Sequence, residues 1–197
     1  MTRCCRRRMR ADYRVVLDAC VLASANPCDL LLSLAESPRL YVPQWTEEIL
    51  AEVRRTQAGK LNWPPHLVEL WQRNVRASFP EAMVAGYEEL KLVCANDEKD
   101  RHVLAAAIRC RAELIVTTNL KHFPRAVLEP WGISTAHPSN YLITLYTMDP
   151  GVVVSKLELI ARRRKLLPED VLARLGKSLP AFAQHVADAL GWELPEV

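Results

Sequence analysis

The sequence predicts an α/β protein built on a parallel sheet that helices cover on both faces. Short apolar runs rich in β-branched residues alternate, along residues 12–138, with longer runs whose apolar residues recur at helical spacing. From residue 139 onward only helical patterns follow, so we expect a C-terminal helical extension over residues 139–197. Half of the 197 residues are hydrophobic and a quarter are charged, a balance typical of a globular chain that buries a sizeable core.

The first strand is predicted at the start of RVVLDACVL, residues 14–22, and it ends where Asp18 interrupts the apolar run. An ionisable residue is rarely buried without a partner. Asp18 at the end of a buried strand therefore indicates a functional site more than a simple turn. The segment DLLLSLAE, residues 29–36, is apolar around most of its circumference and predicts the helix that follows.

The second strand is predicted at LYVP, residues 40–43, which a proline closes. Thr46 then offers a helix N-cap, and EEILAEVRR, residues 47–55, gathers its apolar residues on one side. A further helix that begins at prolines is predicted at WPPHLVELWQRNVRASF, residues 63–79. MVAGYEEL, residues 83–90, predicts a brief strand and a turn.

The later part of the sheet is predicted from one helix and two strands. DRHVLAAAIRCRA, residues 100–112, has the pattern of an amphipathic helix, and ELIVTTN, residues 113–119, that of a short buried strand ending in polar residues. GIST, residues 132–135, is the expected last strand. Sites in parallel sheets assemble at the carboxyl ends of the strands, which is where both Asp18 and Asn119 fall.

Composition limits the compartment and the partners. The six cysteines contain no CxxC pair and no spacing suited to zinc, which fits a reducing cytoplasmic location. A net charge of +3 permits nucleic-acid binding without demanding it. No apolar run approaches the roughly 18 residues that cross a bilayer. Residues 1–11 are basic and lack the apolar core of a secretory signal, so we expect a basic tail.

Paired carboxylates open the later helix. In NDEKDRHVLAAA, Asp97 and Asp100 lie one helical turn apart, just ahead of the apolar residues. Helix capping can explain each of them; the alternative is a divalent cation held by carboxylates from several elements. Asp18, Glu52 and Asn119 share the same predicted edge. Because like charges in one pocket repel unless a cation neutralises them, this cluster predicts a bound metal.

At these segments the chain resembles a known family. VVLDACVL, TEEILAEV and NDEKDRHVLAAAIRCRAELIVTTNLKHFP are similar to motifs of the PIN-domain ribonucleases, and within them of the VapC-type toxins of toxin–antitoxin pairs. The resemblance covers residues 12–138 as a PIN-like nuclease domain, and the helices after it resemble an extension seen in some members. It implies a three-layer α/β/α fold with a central parallel sheet, and Mg²⁺- or Mn²⁺-dependent endonucleolytic cleavage of RNA.

The resemblance assigns roles to five positions. Asp18 matches the first family acid, Glu52 the glutamate on the helix and Asp100 the third acid, with Asp97 as a close neighbour. Asn119 stands where many members have aspartate, which puts direct metal binding there in question. An amide oxygen can still bind a cation or orient water. We therefore expect Asp18, Glu52, Asp100 and Asn119 to be catalytic and Asp18, Asp97 and Asp100 to hold the metal.

Neighbouring residues have weaker assignments. Thr117 is expected to support the site by hydrogen bonding, and His122 to hold phosphate or substrate. Glu48, one turn before Glu52, is expected to belong to a solvated helix face. His102, within a helix, is expected to be a packing or surface residue rather than a ligand.

The functional expectation is a metal-dependent endoribonuclease that acts as a toxin. Its expected partners are an RNA substrate, a cognate antitoxin that places a cation among the acids, and a second copy of the chain in a homodimer. One alternative is a PIN-like nuclease of RNA maturation or decay without an antitoxin. Another is an inactive PIN-like binding module, in which Asn119 marks lost chemistry. A flavodoxin-like phosphoacceptor would need a lysine opposite the acid, and the sequence offers no convincing one.

Overall fold

Four short strands form the sheet, each within one of the apolar runs of the sequence. The computed structural model describes residues 12–195, so the predicted basic tail at residues 1–11 lies outside the described residues. The strands are β1 (Arg14–Leu17), β2 (Val42–Gln44), β3 (Leu114–Val116) and β4 (Ser134–Ala136). All residues of β2 and β3 are buried, as expected for strands covered on both faces.

All strand pairs in the sheet are parallel, and the strand order is β2-β1-β3-β4. Val15 of β1 lies opposite Pro43 on one side and opposite Leu114 on the other. The chain therefore moves from β1 to one neighbour and then crosses back to the other. In such sheets a crevice opens at the carboxyl ends of the two strands between which the order reverses, which here are β1 and β3.

Helices connect the strands and cover the sheet. Their bounds are α1 (Ala19–Leu22), α2 (Ala25–Ala35), α3 (Glu47–Arg55), α4 (Pro65–Ser78), α5 (Arg101–Cys110), α6 (Arg125–Leu128), α7 (Pro138–Met148), α8 (Pro150–Arg164), α9 (Pro168–Gly176) and α10 (Pro180–Leu190). The α2 helix packs against β2, whereas α5 packs against β1 and β3. Right-handed crossovers in opposite directions place these two helices on opposite faces of the sheet. The predicted three-layer α/β/α fold is confirmed.

Two helices near the sheet edge have clear local causes. The α3 helix begins after Thr46, whose side-chain oxygen accepts the backbone N–H of Ile49 at 3.1 Å, as a capping threonine should. The α5 helix presents three fully buried alanines, residues 105–107. Because their side chains are small, α5 can approach β1 and β3 closely. The α3 helix carries acids itself, and α5 directly follows a pair of acids, so both helices bring carboxylates to the same end of the sheet.

The C-terminal helices α7 to α10 extend the same hydrophobic core. Each has a proline in its first turn, where the missing N–H costs no hydrogen bond. Tyr141 of α7 meets Tyr41 edge-on with ring centroids 5.4 Å apart. The buried Lys156 donates its Nζ to the carbonyl of Ser37 at 3.1 Å. The predicted helical extension is therefore packed against the sheet domain.

One predicted element differs in the structure. Instead of a brief strand at residues 83–90, Met83 forms a single parallel bridge with Trp45, and a 3₁₀-helix follows at Glu88–Val93. Gly86 between them has φ +70°, a left-handed conformation that ends an extended run. Across residues 12–195, every helix is too short or too polar to cross a membrane.

Candidate active site at the sheet edge

Asp18 lies at the carboxyl end of β1, directly before α1, and is only 3% exposed. Its Oδ2 accepts two hydrogen bonds, from the Thr117 hydroxyl at 2.6 Å and from the Cys20 thiol at 3.1 Å. Its backbone N–H donates to the carbonyl of Val116 at the end of β3. Within residues 12–195 no lysine, arginine or histidine forms an ion pair with this carboxylate. Among the described residues, only neutral donors therefore hold this buried carboxylate.

The turn after β3 is folded around the same group. Thr118 donates its backbone N–H to the Cys20 sulfur at 3.3 Å, and Asn119 donates its backbone N–H to the Thr117 oxygen at 3.0 Å. These bonds fix the backbone of the turn beside Asp18. Thr117 therefore lies where a supporting hydrogen-bond donor was expected. The half-buried Asn119 side chain lies at the same edge and makes no hydrogen bond with another described residue.

Cys20 is a site residue that the sequence reasoning missed. Burial raises the pKa of its thiol to about 11, and the charge of Asp18 adds to that effect. The sulfur therefore stays protonated near neutral pH and remains a donor to Asp18. The signal was available: a residue two positions after a strand-end acid, in the first turn of a helix, faces the same edge.

Glu52 lies on α3, whose buried residues Ile49 and Val53 fix the rotation of the helix. Its side chain is 31% exposed, with the exposed Arg55 at 3.5 Å. Burial raises the Glu52 pKa, and the charges of Asp18 and Asp100 raise it further against the lowering effects of His102 and Arg55. The two aspartates therefore act on Glu52 from nearby, which places three acids in one electrostatic neighbourhood.

Glu48, one turn earlier, is engaged elsewhere. Its Oε2 accepts hydrogen bonds from the Lys91 ammonium at 2.5 Å and from the Tyr87 hydroxyl at 3.2 Å. Partial burial opposes its charged form, but the Lys91 hydrogen bond and the charges of His102 and Lys91 outweigh that effect and lower the Glu48 pKa. The two glutamates of one helix face thus have opposite pKa shifts.

Asp97 precedes a short 3₁₀-helix at Glu98–Asp100 as its N-cap, and Asp100 is the last residue of that helix. The Oδ1 of Asp97 accepts the backbone N–H of Lys99 at 3.1 Å, so Asp97 caps this 3₁₀-helix. The side chain of Asp100 makes no capping bond to α5; its Oδ2 instead lies 2.6 Å from Nδ1 of His122. Ligand atoms of Asp97, Asp100 and His122 all lie within 4.8 Å of one another.

This grouping differs in membership from the expected metal ligands. His122 was expected to hold phosphate or substrate, yet its ring lies beside Asp100, because the 3₁₀-helix Leu120–His122 turns the chain back toward the acids. Asp18 is outside the group of three at that spacing. Its connection to Asp100 runs through Glu52, whose pKa both charges raise.

The donor set suits a divalent cation. Carboxylate oxygens are the ligands that hard cations prefer, and imidazole nitrogen is compatible with Mn²⁺ and other first-row ions. Asp18 is buried and has no cationic partner among residues 12–195, and the charges of Asp18 and Asp100 both oppose ionisation of Glu52. A bound cation would relieve these repulsions, so the residues present fit a metal.

A separate cleft of about 450 Å³ lies between α2 and α4, lined in part by Trp63, Trp71 and Arg164. None of the acids named above lines it. The acid cluster therefore does not belong to this cleft.

The fold and the acids together define an α/β protein with a carboxylate-lined site at the ends of parallel strands. The sequence profile of the PIN domain matches residues 12–121. The chain is also 38% identical, over 131 residues, to a curated Mycobacterium tuberculosis protein named "Putative ribonuclease VapC50", covering 63% of this chain and 76% of the relative. No solved structure was found to match. The chain belongs to the PIN-domain family, and its predicted resemblance to VapC-type members is confirmed.

Proposed function

We propose that the protein is a metal-dependent endoribonuclease and the toxin of a toxin–antitoxin pair. The observation that carries the proposal is the gathering of Asp18, Glu52 and Asp100 at one sheet edge in a PIN-domain protein. The relative named as a ribonuclease supports RNA as the substrate.

Mg²⁺ or Mn²⁺ would be held by Asp18, Asp97 and Asp100, directly or through water, with His122 as a neighbouring nitrogen donor. When bound, the cation supplies Lewis-acid stabilisation of the negative charge that develops on a phosphodiester under attack by water. Asn119 lies at the same edge and offers an amide oxygen that can orient a water molecule.

The other roles in the reaction belong to side chains of the protein. Thr117 and Cys20 hold the Asp18 carboxylate in one orientation through bonds to the same oxygen. Glu52, whose pKa is raised by burial, is a better proton acceptor than an ordinary carboxylate and takes the proton of the attacking water. The exposed Lys99 and Lys121 flank the acids in sequence and lie where RNA phosphates would approach.

The remaining partners follow from the same site. A cognate antitoxin would block the acids with a peptide segment that places a cation among them, since three carboxylates attract a guanidinium or ammonium group. We propose a homodimer in the cytoplasm as the active form. A PIN-like nuclease without an antitoxin would have the same acids but no such partner.

The proposal is tested with purified protein and a mixed RNA substrate. We expect cleavage to require added Mg²⁺ or Mn²⁺, to stop with EDTA, and to be lost in Asp18→Asn. Sequencing of RNA 5′ ends after induced expression would identify the target, and growth arrest relieved by a co-expressed neighbouring gene would identify the antitoxin. A protein that shows no carboxylate-dependent Mn²⁺ binding in calorimetry would instead be an inactive binding module, and the proposal would be wrong.

A further inference from the structure

His102 is a buried imidazole in an unusual position. It lies on α5, two residues after Asp100, and is only 3% exposed. Its Nε2 has no hydrogen-bond partner among the described residues. A buried polar atom without a partner costs free energy that an apolar side chain of similar size would not cost. The position therefore keeps a group that destabilises the folded chain, which suggests that the group has another use.

The nearest carboxylate to this nitrogen is Glu52. The Nε2 of His102 lies 3.8 Å from Oε1 of Glu52, just beyond hydrogen-bond distance. Glu48 is already held by Lys91 and Tyr87. Glu52 is the glutamate left for His102.

Glu52 has no other firm support from the part of the chain that the structure describes. Its partner Arg55 is at 3.5 Å, and the Arg55 side chain is 72% exposed. An exposed arginine contributes little to the orientation of a carboxylate, because water competes for both groups. A buried imidazole has fixed packing and no competing water, so it can orient a carboxylate more firmly.

We propose that His102 is a positioning residue whose Nε2–H donates to the Glu52 carboxylate when that carboxylate accepts a hydrogen bond from a water molecule of the divalent cation. The inference rests on the proposed function, since it assumes that Glu52 belongs to a cation-dependent site. A side-chain movement of about 1 Å brings the two atoms from 3.8 Å to hydrogen-bond distance. His102 then fixes one rotamer of Glu52.

The test compares Mn²⁺ affinity with the melting temperature of the metal-free protein. In His102→Leu we expect Mn²⁺ affinity to fall about tenfold or more, while the melting temperature stays the same or rises by about 2 °C or more. In His102→Gln, where an amide N–H can replace Nε2–H, we expect most of the affinity to return. A merely structural role predicts the reverse: a lower melting temperature, with Mn²⁺ affinity unchanged in the folded fraction.

Two further proteins make the test specific. Gln57 is another fully buried residue whose side-chain amide has no partner among the described residues. Gln57→Met therefore serves as the matched control, which should leave Mn²⁺ affinity unchanged. If His102 acts through Glu52, His102→Leu should cause no further loss in a Glu52→Gln background, because the two residues form one interaction.

The outcomes separate the inference from the proposed function. Wild-type protein that takes up no Mn²⁺ would refute the proposed function itself. Wild-type uptake with equal affinity in His102→Leu would refute only the role of His102, as would additive losses in the double variant. Failure of His102→Leu to fold would show that the imidazole is needed for stability, and would also overturn the inference.

Discussion

The two sides of the acid cluster are built differently. On one side Asp18 ends a buried strand, and the hydroxyl of Thr117 and the thiol of Cys20 hold its carboxylate. On the other side the exposed Asp97 caps a 3₁₀-helix that ends at Asp100, beside a half-buried His122. The first side is fixed by the sheet and the second by short helical turns.

The two sides differ in how much their carboxylates destabilise the folded protein when no cation is bound. A buried carboxylate with only neutral donors recovers part of its desolvation penalty and no more. Asp100, in contrast, has an imidazole partner at 2.6 Å, and one oxygen of Asp97 accepts a capping hydrogen bond. A bound cation should therefore stabilise the Asp18 side more than the other side. Substitutions on the Asp18 side should have the larger effects.

Asp18→Asn should have the largest effect. We expect RNA cleavage to fall by roughly 100-fold or more, since a ligand charge is lost where charge is stabilised during the reaction. The melting temperature without metal should stay equal or rise, because removing one charge relieves repulsion with Glu52. Asp97→Asn, on the exposed side, should lose clearly less activity. If Asp97→Asn is the more damaging of the two, the comparison between the sides is wrong.

Glu52→Gln should follow, with a loss of cleavage far above that of Glu48→Gln. Both variants remove a carboxylate from the same helix face, so each is the control for the other. The charges of Asp18 and Asp100 raise the pKa of Glu52, whereas Glu48 is paired with Lys91. The measurement is the cleavage rate at saturating Mg²⁺. The opposite ranking would place the catalytic glutamate one helical turn earlier.

Much of the fold could be predicted because local signals and burial agree. The α3 helix has the predicted bounds, residues 47–55, since Thr46 supplies a cap and the apolar residues lie on one side. The prediction of a brief strand within residues 83–90 was wrong, because the apolar residues there resemble those of a strand. A strand needs a partner along its length, and Gly86 ends the extended run after the single bridge at Met83.

The candidate site was predicted only where position along a strand or helix decides the location. Asp18 and Asn119 follow strands, so parallel strands alone bring them to one edge. The contact between His122 and Asp100 depends on a 3₁₀-helix that no periodicity announces. The bond from Cys20 to Asp18 was overlooked because cysteine in an apolar run resembles a small buried hydrophobe.

Variants of Asn119 test how much the Asp18 side of the acid cluster depends on this uncharged amide. Asn119→Asp should tighten Mn²⁺ binding, since ligand charge sets much of the affinity for hard cations, and cleavage should stay measurable. Asn119→Ala should weaken cleavage by about tenfold or less without unfolding the turn, because its backbone N–H still donates to Thr117. Mn²⁺ titration and cleavage assays on the three proteins check both points. An alanine variant equal to wild type in both assays would place Asn119 outside the site.

The smallest expected effect concerns the pH dependence of stability in metal-free protein. The folded-state pKa of Glu52 is raised, so its contribution to stability is present below its unfolded pKa, about 4.3, and is lost as pH rises through the folded value. The Glu48 pKa is lowered, so its contribution is present above the unfolded pKa and is lost as pH falls. Between pH 4 and pH 7, Glu52→Gln should therefore become more stable relative to wild type, and Glu48→Gln less stable.

The Glu48 difference should stay below about 1 kcal/mol, because that side chain is 39% exposed and its ion pair is screened by water. Urea unfolding in EDTA at several pH values measures both differences, and unrelated titrations cancel because each variant is compared with wild type at the same pH. Slopes of the same sign would show that the two glutamates share one environment, contrary to the structure.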